Sequence, residues 1–235
     1  MDKDNVVVVS GIGCSSRAPG YLDFNTLHTT HGRAIPFATG VKLGNPELTV
    51  VVFTGDGDAA AIGGNHLIHA ARRNLDMTVV ILNNSIYGMT SGQYSPQTPK
   101  GAFGTTAPYG NVERPFDLCK LAEASGATYA ARGTAYHARQ LPTLIEKAIS
   151  NRGFSVVEAI AQCPIYYGRK NKMGSAIDML KWQRDNAVSL KQAQNMSPEQ
   201  LAGKFVIGEL FNSPAPEYTK EYQKVIDIAM KGAAA

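Results

Sequence analysis

Residues 49–84 read TVVVFTGDGDAAAIGGNHLIHAARRNLDMTVVILNN, and this stretch decides the fold. Two short apolar runs rich in β-branched residues, 49–54 and 77–82, are bounded by turn residues and predict strands buried on both faces. Residues 59–73 between them predict a helix. Ile62, His66, His69 and Ala70 fall along one side of it, and Arg72 and Arg73 suit the negative end of its dipole. A strand–helix–strand unit of this length is a parallel, right-handed crossover. Asp56 and Asn84, 28 positions apart in the chain, are thereby expected side by side at the carboxyl ends of neighbouring strands.

A carboxylate and an amide oxygen in that position suit a hard cation. Mg²⁺ prefers about six oxygens and normally shares them with a ligand's phosphates. The glycines flanking Asp56 let the backbone approach such a ligand closely, and a helix N-terminus attracts anions. The residues point to a Mg²⁺–diphosphate site on top of a parallel sheet.

Gly55-Asp56-Gly57 followed by Asn83-Asn84 also resembles the thiamine diphosphate motif. Gly11-Ile12-Gly13-Cys14-Ser15, Thr30-His31-Gly32-Arg33, Gly63-Gly64-Asn65-His66 and Tyr87-Gly88-Met89-Thr90-Ser91-Gly92-Gln93 extend the likeness. So does Cys163-Pro164, followed by Tyr167-Gly168-Arg169-Lys170-Asn171-Lys172. Together they resemble the β subunit of a 2-oxoacid:ferredoxin oxidoreductase, 2-oxoglutarate type, over about residues 5–188. The resemblance implies an α/β thiamine diphosphate-binding fold, a parallel sheet with helices on both faces. It implies that Asp56, Asn84 and the Ile86 carbonyl hold Mg²⁺. Ile12, Gly13, Cys14, Ser15, Thr30, His31, Gly32, Arg33, Gly57, Asp58, Gly88 and Met89 then face the cofactor. His28 reads as structural, and His66 and His69 as core packing or satisfied hydrogen bonds.

In the resembled family four cysteines hold one [4Fe–4S] cluster. Cys14 and Cys163 match two of them. Cys119 matches none and reads as a small buried hydrophobe on an amphipathic helix. The other pair, a Cys-Pro-x-Cys segment, has no counterpart here. The expectation is a chain that starts late rather than a lost cluster, because a sheet opening on a central strand leaves a face uncovered.

The same likeness implies coenzyme A-dependent oxidative decarboxylation of a 2-oxoacid, with electrons passed to ferredoxin. No residue here reads as the carboxylate that serves the aminopyrimidine ring, so a partner α subunit is expected to supply it. The chain would be one subunit of a hetero-oligomer. Lys100, Arg33 and Lys42 are the cations on hand for the distal carboxylate of 2-oxoglutarate. A thiamine-dependent lyase or decarboxylase without electron transfer, and a silent nucleotide-binding scaffold, are the alternatives.

Composition agrees with globular usage: 235 residues, 44% hydrophobic and 18% charged. No apolar run reaches membrane-spanning length, and residues 1–5 lack the pattern of a secretory leader. Three cysteines make no disulfide framework, so a reducing cytoplasm is expected. A net charge of +4, diffuse and not interleaved with aromatics, argues against nucleic acid. The densest basic cluster, Arg169, Lys170 and Lys172, would suit an acidic electron carrier.

Elsewhere, residues 5–9, 127–131 and 155–160 predict strands, and 33–43, 115–125 and 143–150 predict helices. Residues 85–111 predict a long functional loop that shapes the reaction chamber. The domain is placed at 1–190. A helical extension follows at 191–235, with a capped restart at Ser197, a last helix at 217–230 and a frayed end at 232–235.

Overall fold

In the computed structural model, which describes residues 2–233, the β-branched runs are the middle of an eight-stranded sheet. The elements in chain order are β1 (Val6–Ser10), β2 (Asn25–His28), α1 (Ala34–Gly44), β3 (Thr49–Gly55), α2 (Gly64–Arg73) and β4 (Met77–Asn83). Then come α3 (Leu118–Ala124), β5 (Tyr129–Thr134), α4 (Gln140–Ser150), β6 (Phe154–Ile160) and α5 (Ala176–Asn186). The chain finishes with β7 (Ala187–Ser189), α6 (Leu190–Ala193), α7 (Pro198–Leu201), β8 (Phe205–Asn212) and α8 (Tyr218–Ala233). The spatial order is β2-β1-β3-β4-β6-β5-β8-β7, parallel throughout except where β8 runs antiparallel to β5.

Strands β3, β4 and β6 are buried on both faces, which requires helices on both sides. On one side Ala34, Ile35 and Ala38 of α1, Leu67 and Ala70 of α2 and Leu118 of α3 pack on Val52, Val79 and Val156. On the other, Leu144 and Ala148 of α4 pack on Tyr129, Ala131 and Val157. The α/β class expected from the sequence is the class observed.

The crossover helix differs from its expected form. Asp58–Ile62 forms one wide π turn, and α2 starts only at Gly64. The extra residue of a π turn rotates everything after it. The buried face is consequently Leu67, Ala70 and Ala71, while Ile62 and His69 face outward. Core packing of His66 and His69 is thus corrected: His66 is half-exposed and pairs with Arg33, its Nε2 lying 2.7 Å from Arg33 Nη1. Burial and the neighbouring Arg33 charge lower the His66 imidazole below its ordinary range.

Helix α3 begins at Leu118 rather than 115, because Asp117 caps it by accepting from the Lys120 N–H. Pro142 lies in the first turn of α4, where no backbone donor is needed. The Ser197 restart forms, with a reciprocal capping box to Gln200.

The expected all-helical extension is a correction of substance. Residues 191–235 contain β8, which joins the main sheet beside β5 through a bulge at Ala130/Ala131. Gly208, at φ +117°, interrupts the apolar alternation that would have announced this strand. Gly232 and Ala233 belong to α8, while residues 234–235 of the expected frayed end lie outside the described residues. No helix among the described residues is long and apolar enough to cross a membrane.

Candidate active site

The parallel pairing sets the strand ends level. Ser10 is in register with Phe53, Gly55 with Leu82, and Asn83 with Ile160. The chain leaves β1 for β2 on one side and returns to β3 on the other, so the strand order reverses between β1 and β3. In open α/β sheets ligands bind in the crevice at that reversal. A cavity of about 440 Å³ occupies it. Its walls include Ile12, Gly13, Cys14 and Ser15 after β1, Asp56, Gly57 and Asp58 after β3, and Asn84, Ile86, Gly88 and Met89 after β4, with His31 closing one side.

Most of the expected site residues therefore converge on one space. Thr30, Gly32 and Arg33 do not line it. Gly32 donates its N–H to Asp58 Oδ1 at 2.5 Å, and Arg33 is engaged with His66. Cys163 lies just outside, behind Gly88.

Asp56 is buried, and burial pushes its carboxyl up to about 7 against the opposing hydrogen bond from Ser95. Ser95 Oγ donates to Asp56 Oδ2 at 2.5 Å. Asn84 Oδ1 accepts from the Ile86 N–H at 3.2 Å, a turn that holds the amide beside the Ile86 backbone. Among the described residues nothing donates to the Ile86 carbonyl.

Asp58 braces the loops. Its Oδ2 accepts from Thr54 Oγ1 at 2.7 Å, and His31 Nδ1 lies 2.7 Å from its Oδ1. A Cβ on Gly11 would collide with this carboxylate, so three loops close on Asp58 only because residue 11 is glycine. Gly57 is required for a second close approach. A Cβ there would overlap the ring of Tyr87, whose hydroxyl donates to the Gly57 carbonyl at 3.2 Å.

A thiamine diphosphate–Mg²⁺ pair fits these residues. The donors are a carboxylate, an amide oxygen and a free carbonyl, the hard set that Mg²⁺ takes. No group of three or more His, Cys, Asp or Glu gathers among the described residues, which leaves the cavity without a soft-metal set. The buried Ser15 and Ser16 hydroxyls have no hydrogen-bond partner among the described residues, and Ser15 lines the cavity. An orphaned hydroxyl at a strand-end turn is a ready donor to a phosphate oxygen.

An iron–sulfur cluster does not fit this chain by itself. A Cβ on Gly88 would lie 3.1 Å from Cys14 Sγ and 3.5 Å from Cys163 Sγ, so the two thiols face one small region. Burial, then the proximity of Cys163, raises the Cys14 thiol. A [4Fe–4S] centre takes four thiolates. Cys119 is remote, buried on α3, and burial raises its thiol strongly.

The sequence assigns no individual site role to Tyr87, Ser95 or Gln162. The first two stand in the 85–111 loop, where no periodicity marks which side chains turn inward. A larger cavity of about 580 Å³ adjoins the first across Asn84, Ala161 and Gln162. Its wall carries a chain of charges, half-exposed Asp117 and buried Arg132 and Glu158, which ends on Asn83.

Fold and cavity define a thiamine diphosphate-binding domain of an enzyme, and residues 11–159 match the family described as thiamine pyrophosphate enzyme, C-terminal TPP binding domain. The chain is 58% identical over 227 residues to 2-oxoglutarate synthase subunit KorB of Methanothermobacter thermautotrophicus, covering 97% of this chain and 79% of that one. It is 54% identical to the same subunit of Methanocaldococcus jannaschii, covering 95% and 83%. A 2-oxoglutarate:ferredoxin oxidoreductase from Magnetococcus marinus, solved with 2-oxoglutarate, coenzyme A and succinyl-CoA bound, superposes with a TM-score of 0.87. That structure shares 35% identity and covers 97% of this chain and 79% of its own. The chain belongs to the family of β (KorB) subunits of 2-oxoglutarate:ferredoxin oxidoreductases.

Proposed function

We propose that this chain supplies the Mg²⁺–diphosphate half of the site in which 2-oxoglutarate is oxidatively decarboxylated with coenzyme A. The observation that carries the proposal is the meeting of Asp56, Asn84, Ile86, Ser15 and Gly88 around one strand-end cavity. When bound, thiamine diphosphate supplies the carbon nucleophile and electron sink that decarboxylation of a 2-oxoacid needs. The chain's own residues bind and orient. Asp56, Asn84 and the Ile86 carbonyl would hold the cation. Ser15 and the glycine turns would receive phosphate oxygens, and Met89, half-exposed at the cavity rim, would border the reacting end.

The carboxylates support the reading of a partner α subunit. Asp56 and Asp58 are the acidic residues lining the cavity, the first assigned to the cation and the second engaged by Thr54, Gly32 and His31. No further carboxylate lines the cavity among the described residues, which supports an acid–base group supplied by the partner. Lys42 drops out as a substrate cation. It is buried at the far end of α1, with its Nζ 2.7 Å from Asp76 Oδ2 and 2.8 Å from the Leu48 carbonyl. Arg33 is already engaged with His66, which leaves exposed Lys100 on this chain. Ferredoxin is the proposed electron acceptor. With Cys14 and Cys163 as two of four thiolates, a cluster would need further ligands from outside the described residues.

The test is dye reduction by the chain co-produced with its α partner. Coenzyme A-dependent reduction with 2-oxoglutarate, exceeding that with pyruvate, is expected. Decarboxylation without dye reduction would instead indicate a lyase, and no turnover of either acid would oppose the assignment.

The buried Asp56 adds a pH dependence. With its carboxyl at about 7, the cation-free site is protonated below that pH, and a metal must displace the proton. Mg²⁺ affinity is expected to fall by about tenfold per pH unit below about pH 7 and to level off above it. A profile flat from pH 6 to 8, by titration calorimetry at saturating thiamine diphosphate, would contradict this.

A further inference from the structure

The two arms of the cation site arrive on different strands, Asp56 after β3 and Asn84–Ile86 after β4, and no direct hydrogen bond joins their side chains. A third element touches both. Residues 95–98 form a tight turn, with Pro96 at its second position and the Thr98 N–H donating to the Ser95 carbonyl at 3.0 Å. Ser95 and Thr98 are essentially inaccessible, at 1% and 0% exposure.

Each hydroxyl of this turn has its direction fixed. Ser95 Oγ accepts from the Gln97 N–H at 3.2 Å, so its own hydrogen goes to Asp56 Oδ2. Thr98 Oγ1 accepts from the Ser95 N–H at 2.8 Å, so its hydrogen goes to the Ser85 carbonyl at 2.6 Å. Ser85 sits between Asn84 and Ile86 and has φ +60°, a left-handed conformation that L-residues avoid unless the surroundings hold them there. That twist carries the chain from the Asn84 side chain to the Ile86 carbonyl. From behind, Asn111 Nδ2 donates to the Thr98 carbonyl at 2.8 Å.

We propose that the turn at residues 95–98 is a clasp in which the Ser95 and Thr98 hydroxyls set the position of Asp56 relative to the Asn84 and Ile86 donors. Ser95 and Thr98 are positioning residues: they touch neither substrate nor cofactor and act through the cation's ligands. Taking Oδ2 leaves Asp56 Oδ1 as the oxygen for a cation, and pinning Ser85 keeps the other two donors aimed at it. Mg²⁺ demands near-ideal octahedral geometry, so a small error in this separation costs affinity. The inference rests on the reading of Asp56, Asn84 and Ile86 as the cation's ligands.

The experiment measures Mg²⁺ affinity by titration calorimetry on the assembled enzyme at saturating thiamine diphosphate, with urea unfolding midpoints alongside. Ser95→Ala and Thr98→Val are each expected to weaken Mg²⁺ about 10–100-fold, as losses of a ligand's supporting hydrogen bond do. Ser95→Thr and Thr98→Ser, which keep the hydroxyl, are expected to restore it. The double variant should lose less than the two single losses combined, since one clasp is broken twice. Trypsin cleavage after Lys100 reports the order of the same loop. Faster cleavage with Mg²⁺ affinity within twofold of the parent would overturn the proposal and leave the turn a structural one. Should Ser95→Ala fail to fold, Thr98→Val carries the same test. The parent reading is separated by Asp56→Ala: full loss there with normal Ser95→Ala and Thr98→Val defeats the clasp alone, whereas normal binding by Asp56→Ala defeats both.

Discussion

Asp56→Ala is expected to abolish Mg²⁺-dependent binding of thiamine diphosphate while leaving the chain folded. Loss of an outer hydrogen bond to a metal ligand costs about 10–100-fold, so loss of the only carboxylate in the set should exceed about 100-fold. Folding should not suffer, because Asp56 contributes little to stability without its cation. Burial raises its carboxyl to about 7, which means that at neutral pH the folded state holds the ionised form less readily than water does. The sign is unfavourable: an unfolded carboxyl ionises near 4, so this group progressively weakens the cation-free fold as pH rises from about 4 to about 7. Asp56→Ala removes that burden and leaves Ser95 Oγ one acceptor short. Calorimetric binding and the urea midpoint, measured on the same preparation at pH 7.5, check both halves. Retained cation-dependent binding would count decisively against the site.

The second large effect belongs to stability. Arg132 and Glu158 are both buried, paired through Nε and Oε2 at 2.6 Å on the adjacent strands β5 and β6. Arg132 also donates to Asp117 Oδ1 at 2.6 Å and to the Val206 carbonyl of β8 at 3.3 Å. Burial works to raise the Asp117 carboxyl, but the Arg132 guanidinium and the helix-cap hydrogen bond outweigh it and hold Asp117 below its ordinary value. Arg132→Met would leave the Glu158 carboxyl buried without its cation and near Asp56, whose carboxyl already feels it. Breaking a buried pair from one side costs about 3–5 kcal/mol. Arg132→Met with Glu158→Gln should recover much of that, because the unpaired carboxyl is gone while Asn83 keeps a partner at position 158. Urea unfolding checks the pair of variants. A cost under about 1 kcal/mol for Arg132→Met would show that water already reaches Glu158 through the adjoining cavity.

How much was legible depended on whether a residue's neighbours were set by periodicity. The runs at 49–54 and 77–82 became β3 and β4 because β-branched residues buried on both faces have no other stable arrangement, and Asp56 and Asn84 followed from the parallel crossover alone. The glycine-rich turn after β1 was legible for the same reason. Three things were not. The π turn at Asp58–Ile62 shifted the buried face of α2 by one residue, which no local pattern encodes. Strand β8 hides behind Gly208 and Glu209, and its place in the sheet depends on pairing with a strand about 80 residues earlier. Ser95 and Thr98 stand in a loop whose inward side is set by long-range hydrogen bonds to Asp56 and Ser85. The histidines divided: of core packing or a satisfied hydrogen bond, the shifted phase gave His66 the second, beside Arg33 at the rim, and left His69 exposed.

Titration of the assembled wild-type enzyme with thiamine diphosphate, with Mg²⁺ present and after chelation, reaches the central claim most directly. One site per chain, saturable with Mg²⁺ and lost in chelator, is the result expected of a cation held by Asp56, Asn84 and the Ile86 carbonyl. Binding indifferent to the divalent cation, or none at all, would contradict it.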